Sequence, residues 1–280
     1  MTSPRIGIAD ESDIARFAAE RTRDETSRQS YLAASMRATT RLCAYDENGA
    51  LGVLIVRDSS PHMEIIDLFV HPSARNSGVG RALAGDLLSD ATHWIGTCGL
   101  DASSQAFLAK FDARETALVH VLAGEIPKDD RLLAEIGIDG EFEARHISPS
   151  HRDAMGDLDR FAGGRQDGWL YDMRDEQGAG ITLWRGNECA GYAYFDSTGQ
   201  IGPLRVSSPS YTAPMLAYCM HTLRSMLGVT WARVNVPAAN TRALRVALRY
   251  GMRLDRSFAR ASNRTLGELA TYVGFLPFAF

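Results

Sequence analysis

The segment Arg75-Asn76-Ser77-Gly78-Val79-Gly80-Arg81 combines the residue types that build an anion site. It follows an apolar run at 63–70 closed by His71-Pro72, and it opens a stretch in which Val79, Leu83 and Leu87 recur at four-residue steps. That pattern predicts a strand, a tight loop and a helix. Gly78 and Gly80 let the backbone approach an anion closely. The first N–H groups of the helix would point at the same place, with the helix dipole behind them. Arg75 or Arg81 would add charge-assisted hydrogen bonds, so the chemistry that fits is phosphate binding. Other glycine-rich loops fit less well. A dinucleotide fingerprint needs a third Gly or Ala where Leu83 stands, and a Walker loop needs Gly-Lys-Ser/Thr, which is absent.

The same apolar run carries two carboxylates, Glu64 and Asp67. An unpaired carboxylate is costly to bury, so each is a candidate general base; the alternative for Glu64 is a residue facing water near the strand start. Simple alternation puts Glu64, Ile66 and Leu68 on one face and Asp67 on the other, unless a β-bulge intervenes.

The elements that must position these groups occur twice in the same order. The first series is a strand at 5–9, a helix capped by Asp10 or Ser12, and a second helical stretch around Tyr31 and Ser35. A hairpin at 42–45 and 51–57, the strand at 63–70, and a helix at 79–91 follow. A strand at 94–100, a helix at 103–111 and a strand at 117–122 close it. The second series runs through a strand at 142–147, a helix at 152–161, a hairpin at 181–184 and 190–195, and a strand at 200–206. It continues with a helix at 215–227, a strand at 231–236, a helix at 241–250 and strand-like segments at 258–261 and 272–275. An internal repeat of about half the chain is the expectation, with domains at 1–127 and 141–280 joined by a linker at 128–140. Each half mixes hairpins with helices, which implies an α+β fold with helix-covered sheets.

The loop and its setting resemble the Gcn5-related N-acetyltransferase (GNAT) superfamily, whose signature is Arg/Gln-x-x-Gly-x-Gly/Ala between the fourth strand and the next helix. Here it reads Arg75-Asn76-Ser77-Gly78-Val79-Gly80, with the strand-ending Val-x-Pro as Val70-His71-Pro72. The resemblance implies that acetyl-CoA is the co-substrate and that the loop amides through Arg81 hold its pyrophosphate. It also implies that the backbone of Leu68, Phe69 and Val70 pairs with the pantetheine arm, where this strand splays from the next. The C-terminal half keeps the family's later motif, as Asn240-Thr-Arg-Ala243 and Gly251-Met252, but its loop position, 207–214, lacks the Arg and both glycines. The arrangement looks like the tandem acetyltransferases of bacteria, with one cofactor-binding copy and one degenerate copy.

The expected activity is therefore transfer of an acetyl group to an amine, with a small molecule as the expected acceptor, by direct attack on the thioester. The family often uses a Glu six residues before the strand-ending Val as base, which is Glu64 here; Asp67 is its rival. Some tandem members use the C-terminal carboxylate, here that of Phe280. The family's usual proton donor, a Tyr seven residues after the motif's first position, is replaced by Leu108 and Ala247. That replacement supports an alternative reading, a non-catalytic acyl-CoA-binding sensor or partner-binding module. Cys98, beside the presumed thioester, reads as core rather than nucleophile, and Tyr31 and Tyr45 are donors without positional support.

Composition bounds the rest. A formal net charge of -4 without a basic run argues against nucleic acid as partner. No stretch reaches the roughly 18–20 apolar residues of a membrane span, and the N-terminal 13 residues lack a signal peptide's apolar core. Four scattered cysteines without zinc spacing imply no metal and a reducing, cytoplasmic compartment. A homodimer is compatible with all of this.

Overall fold

The periodicities resolve into elements that settle in two compact units. A computed structural model of the chain describes residues 4–22, 25–59, 62–128, 132, 142–163, 179–264 and 266–274. The first unit holds residues 1–116 together with 258–265, and the second holds 117–257 together with 266–274 of the described residues.

In the first unit, β1 (Arg5–Ile8) leads into α1 (Glu11–Arg21). Asp10 caps α1 by accepting from the Asp13 backbone N–H, while the Asp13 carboxylate accepts from that of Asp10, a reciprocal capping box. Ile14, Phe17 and Ala18, spaced on one face, are buried. Then come α2 (Glu25–Met36), β2 (Thr40–Asp46), β3 (Gly49–Ser59) and β4 (His62–Val70). The helix α3 (Val79–Asp90), β5 (Trp94–Cys98) and α4 (Ala102–Ala109) follow, α4 being capped by Asp101. The strands lie in the order β1-β2-β3-β4-β5, with β4 and β5 parallel and the other neighbours antiparallel. Beyond β5 lies β12 (Arg253–Ser262), whose Ala259 to Ser262 pair antiparallel with Cys98 to Ile95. One core lies between this sheet and α3, built from Leu54, Val56, Met63, Ile65, Leu83 and Trp94 among others.

The second unit contains β6 (Glu115–Glu125), β7 (Glu143–His146), α5 (Arg152–Gly163), β8 (Ala179–Arg185) and β9 (Glu188–Phe195). It continues with β10 (Gln200–Val206), α6 (Thr212–Leu227), β11 (Trp231–Pro237), α7 (Thr241–Arg249) and β13 (Tyr272–Val273). Its strand order, β7-β8-β9-β10-β11-β6, repeats that of the first unit element for element, and β10 and β11 are again the parallel pair. The repeat expected from element order is thus present in the sheets, and the architecture is α+β with tandem, topologically equivalent halves.

The compact units, however, are not sequential. The strand beside β5 comes from the C-terminal half, as β12, and the strand beside β11 comes from the N-terminal half, as β6. Residues 117–125 therefore pack with the second unit although they precede the expected boundary at 127. The linker expected at 128–140 falls largely outside the described residues. Local pattern predicts a strand but not which sheet it joins, because pairing partners lie far away in sequence.

This exchange has a measurable consequence. A fragment ending near residue 127 would leave β5 without its partner at 259–262, and a fragment starting near 141 would leave β11 without β6. Each would expose a sheet edge with unmet hydrogen-bonding groups. The separately expressed halves are expected to melt well below the whole chain, or to fold only when mixed. Thermal melts by circular dichroism check this, and two stable fragments that do not associate would refute it.

Candidate active site

The site is organised by an irregularity in β4. Ile55 pairs with Asp67 but Val56 with Ile65, so Ile66 is an extra residue on β4, a β-bulge. The bulge switches the facing of everything after it. Met63 and Ile65 before it, and Leu68 and Val70 after it, all join the core beneath α3. Asp67 and Phe69 turn the other way. Phe69 packs edge-on against Phe17 of α1 with ring centroids 5.7 Å apart, and Asp67 accepts a hydrogen bond of 2.9 Å from the Tyr31 hydroxyl of α2.

This corrects the simple alternation. Glu64 does not share a face with Leu68; it shares one with Asp67, and both carboxylates belong to the side of the sheet covered by α1 and α2. Nor is Glu64 at a sheet edge, because β4 lies between β3 and β5. Its carboxylate is bonded to Arg57 of β3, directly across the ladder, and lies 4.0 Å from Arg260 of β12. The Arg57 side chain is only 5% exposed and that of Glu64 22%. A buried guanidinium requires such a partner, since an uncompensated buried charge is strongly destabilising.

The second feature is a gap. β4 and β5 are paired only at Met63↔Trp94, Glu64↔Ile95 and Ile65↔Gly96. Beyond Ile65 the ladder between them ends, so Leu68, Phe69 and Val70 lie in the stretch where the two strands have parted.

The third feature is the loop that follows. His71 donates its backbone N–H to Leu51, and Pro72–Ala74 makes a short 3-10 turn. The Arg75 side chain donates from Nε to the Val70 carbonyl at 3.3 Å, and the Ser77 hydroxyl donates to the Ala74 carbonyl at 2.6 Å. Asn76 has φ 62° and Gly78 φ 90°, both left-handed, a conformation Gly adopts without penalty. Gly78 is the N-cap of α3, no side chain caps this helix, and no acidic residue lies in its first turn. The first bond of the helix runs from the Ala82 N–H to the Gly78 carbonyl, which leaves the N–H groups of Val79, Gly80 and Arg81 without acceptors inside the helix. Arg75, Asn76, Ser77, Gly78 and Arg81 are exposed around this electropositive end. At Gly80 the constraint is steric, because a Cβ there would lie 3.2 Å from Phe107 of α4 and 3.5 Å from Val70. A helix N-terminus without a cap, at the mouth of a parted strand pair, suits an extended ligand with a phosphate group at one end.

The remaining candidates are also placed. Burial pushes the Cys98 thiol up to about 11, which removes it as a ready nucleophile. The Tyr45 hydroxyl is bound to Asp13, and burial followed by that bond raises its pKa. Leu108 and Ala247 are buried in their respective units, and neither has a proton to give. His71 is engaged with Ser73 through its ring nitrogen at 2.7 Å. Phe280 lies outside the described residues. Arg57 and Arg260 escaped the sequence reading. Arg57 was within reach, since the hairpin register sets it opposite Glu64, whereas no local signal ties Arg260 to that site. Among the described residues no cluster of His, Cys, Asp and Glu could hold a metal ion, and no helix is long and apolar enough to cross a membrane.

Comparison with known proteins agrees with this geometry. Residues 9–112 match the family model of the acetyltransferase (GNAT) family, which spans the loop, β4, β5 and α4. No functionally curated protein matches the sequence. Among solved structures, a protein of Pyrococcus horikoshii assigned as an acetyltransferase superposes with a TM-score of 0.73 at 15% identity, covering 99% of this chain and 96% of its own. A GCN5-related N-acetyltransferase from Sphaerobacter thermophilus gives a TM-score of 0.63 at 14% identity, covering 96% and 98%. A tandem GNAT protein from the clavulanic acid biosynthesis pathway gives 0.59 at 15%, covering 93% and 97%. With the loop, the parted strands and the repeated sheet all in place, residues 9–112 carry a match to the acetyltransferase (GNAT) family model, and the chain as a whole has the fold of tandem GNAT proteins.

Proposed function

We propose that this protein is an acetyl-CoA-dependent N-acyltransferase that acetylates a small-molecule amine at the first unit. The observation that carries the reading is the uncapped start of α3 at the mouth of the β4/β5 gap. In this reading the amides of Val79, Gly80 and Arg81 receive the pyrophosphate of CoA. Arg75 and Arg81 supply charge, and Asn76 and Ser77 shape the turn. The backbone of Leu68, Phe69 and Val70 pairs with the pantetheine arm. Acetyl-CoA supplies an activated acyl group as a thioester.

The chain's own residues then have two tasks. The first is positioning, which lets a bound amine attack the thioester carbonyl carbon as the C–S bond breaks. The second is removal of the proton that the attacking nitrogen must shed. We assign it to Glu64, whose side chain is 22% exposed, rather than to Asp67, which is 4% exposed and held by Tyr31. The departing thiolate needs no obligatory acid, because a thiol of pKa about 8.5 is a good leaving group. Four unpaired cysteines fit a reducing compartment such as the cytoplasm.

One observation favours the second reading, a CoA-binding sensor without turnover: both carboxylates already have side-chain partners, Glu64 in Arg57 and Asp67 in Tyr31. The two readings part in one assay. Acetyl-CoA with a panel of primary amines, followed by thiol release, is expected to show amine-dependent turnover. Micromolar CoA binding with no turnover on any amine would establish the sensor.

A further inference from the structure

The second unit repeats the parted strand pair of the first. β10 and β11 are paired only at Gln200↔Arg233 and Ile201↔Val234, and beyond Ile201 they separate as β4 and β5 do beyond Ile65. In the second unit the chain itself enters this gap. β13 runs antiparallel to β10, with Leu204 opposite Val273 and Arg205 opposite Tyr272. On its other side Gly274 bridges Asn235 of β11, its N–H donating to the Asn235 carbonyl at 2.7 Å. Three residues thus span the opening from one strand to the other.

The segment is locked by side chains as well. Asn240, the N-cap of α7, donates from Nδ2 to the Tyr272 carbonyl at 3.0 Å. The Arg205 guanidinium stacks on the Tyr272 ring, 3.7 Å from its centroid, and is itself fixed by Asp159 of α5 at 2.9 Å. Asp159 also accepts from the Tyr192 hydroxyl. Thr271 and Val273 are fully buried, and Val273 is part of the unit's main core.

Counted back from the strand-ending valines, Leu204 and Arg205 hold the positions of Leu68 and Phe69 in the first unit. We propose that β13 is a built-in occupant of the second unit's ligand groove. It makes with β10 the backbone pairing that an extended ligand arm makes with β4. The second unit is then closed and complete without CoA, and the chain binds one CoA rather than two. The loop after β10 agrees independently. It lacks both glycines, Ser208 already accepts from the Ser210 N–H, and Pro214 removes an N–H from the first turn of α6.

The proposal rests in part on the first unit being the CoA site, so the test separates the two. Hydrogen exchange followed by mass spectrometry on the full chain without ligand should show peptides over 204–206 and 271–274 exchanging on the order of 100-fold more slowly than unstructured chain. Fast exchange over 271–274 in the ligand-free chain would overturn the proposal whatever CoA does. Adding CoA should slow exchange over 68–70 and leave 204–206 unchanged, with a calorimetric stoichiometry near one; new protection at 204–206 or a stoichiometry of two would also overturn it. Val273→Asp should expel the segment and speed exchange over 204–206 by about tenfold or more. Slow exchange there in that variant, with the chain otherwise folded, would mean that β13 does not fill the groove.

Discussion

Arg81→Glu is expected to weaken CoA binding by about 10- to 100-fold without harming the fold. Arg81 is exposed and stands at the third helical position of α3, after the N-cap Gly78. The change removes a charge-assisted contact of roughly 1.5–3 kcal/mol and sets a negative charge beside the pyrophosphate. For the ligand-free helix the sign is opposite. α3 has no acidic residue in its first turn, and a Glu there would complement the dipole by about 0.3–1 kcal/mol. The expected result is thus an unchanged or slightly raised melting temperature together with a poorer Kd, the Kd difference shrinking as salt is added. Gly80→Trp is the steric companion. Its Cβ alone would stand 3.2 Å from Phe107 and 3.5 Å from Val70, so the ring cannot fit unless the start of α3 and the loop shift, and binding should be lost altogether. Isothermal calorimetry on both variants decides the matter. Wild-type affinity in either would remove the loop from the CoA site.

Glu64→Gln should lower kcat by on the order of 10²–10⁴ while leaving CoA affinity nearly unchanged, the signature of a group that acts on the transition state. The lost rate should be recovered in part at high pH, where the amine is already neutral. The Arg57 partnership adds a second expectation. Gln cannot balance the buried guanidinium, so the variant should also melt earlier. Arg57→Gln separates the effects, because it disturbs the same pair but keeps the carboxylate. If Arg57→Gln loses as much rate as Glu64→Gln, the Glu64 role is structural. Asp67→Asn still accepts from Tyr31 and should cost less than tenfold. A larger loss there than at Glu64 would transfer the base to Asp67.

The glycine loop and the helix start that follows it were legible because their determinants are local. Two glycines, an arginine and a helix start act within a few residues, and backbone conformation at Gly78 needs nothing from afar. The repeat was legible for a related reason, since hydrophobic periodicity is set by each element's own exposure. Tertiary structure decided the rest. The bulge at Ile66 arises from pairing with β3, and it alone turns Asp67 to the face of Glu64 and sends Leu68 to the other. The partners of the carboxylates, Tyr31, Arg57 and Arg260, are brought in by α2, β3 and β12, elements whose placement depends on sheet order. The exchange of β6 and β12, and the entry of β13 into the second gap, likewise depend on which strand edges find each other. A strand's sequence says that it will pair and which residues face one way. Its partner is chosen by the packing of the whole sheet.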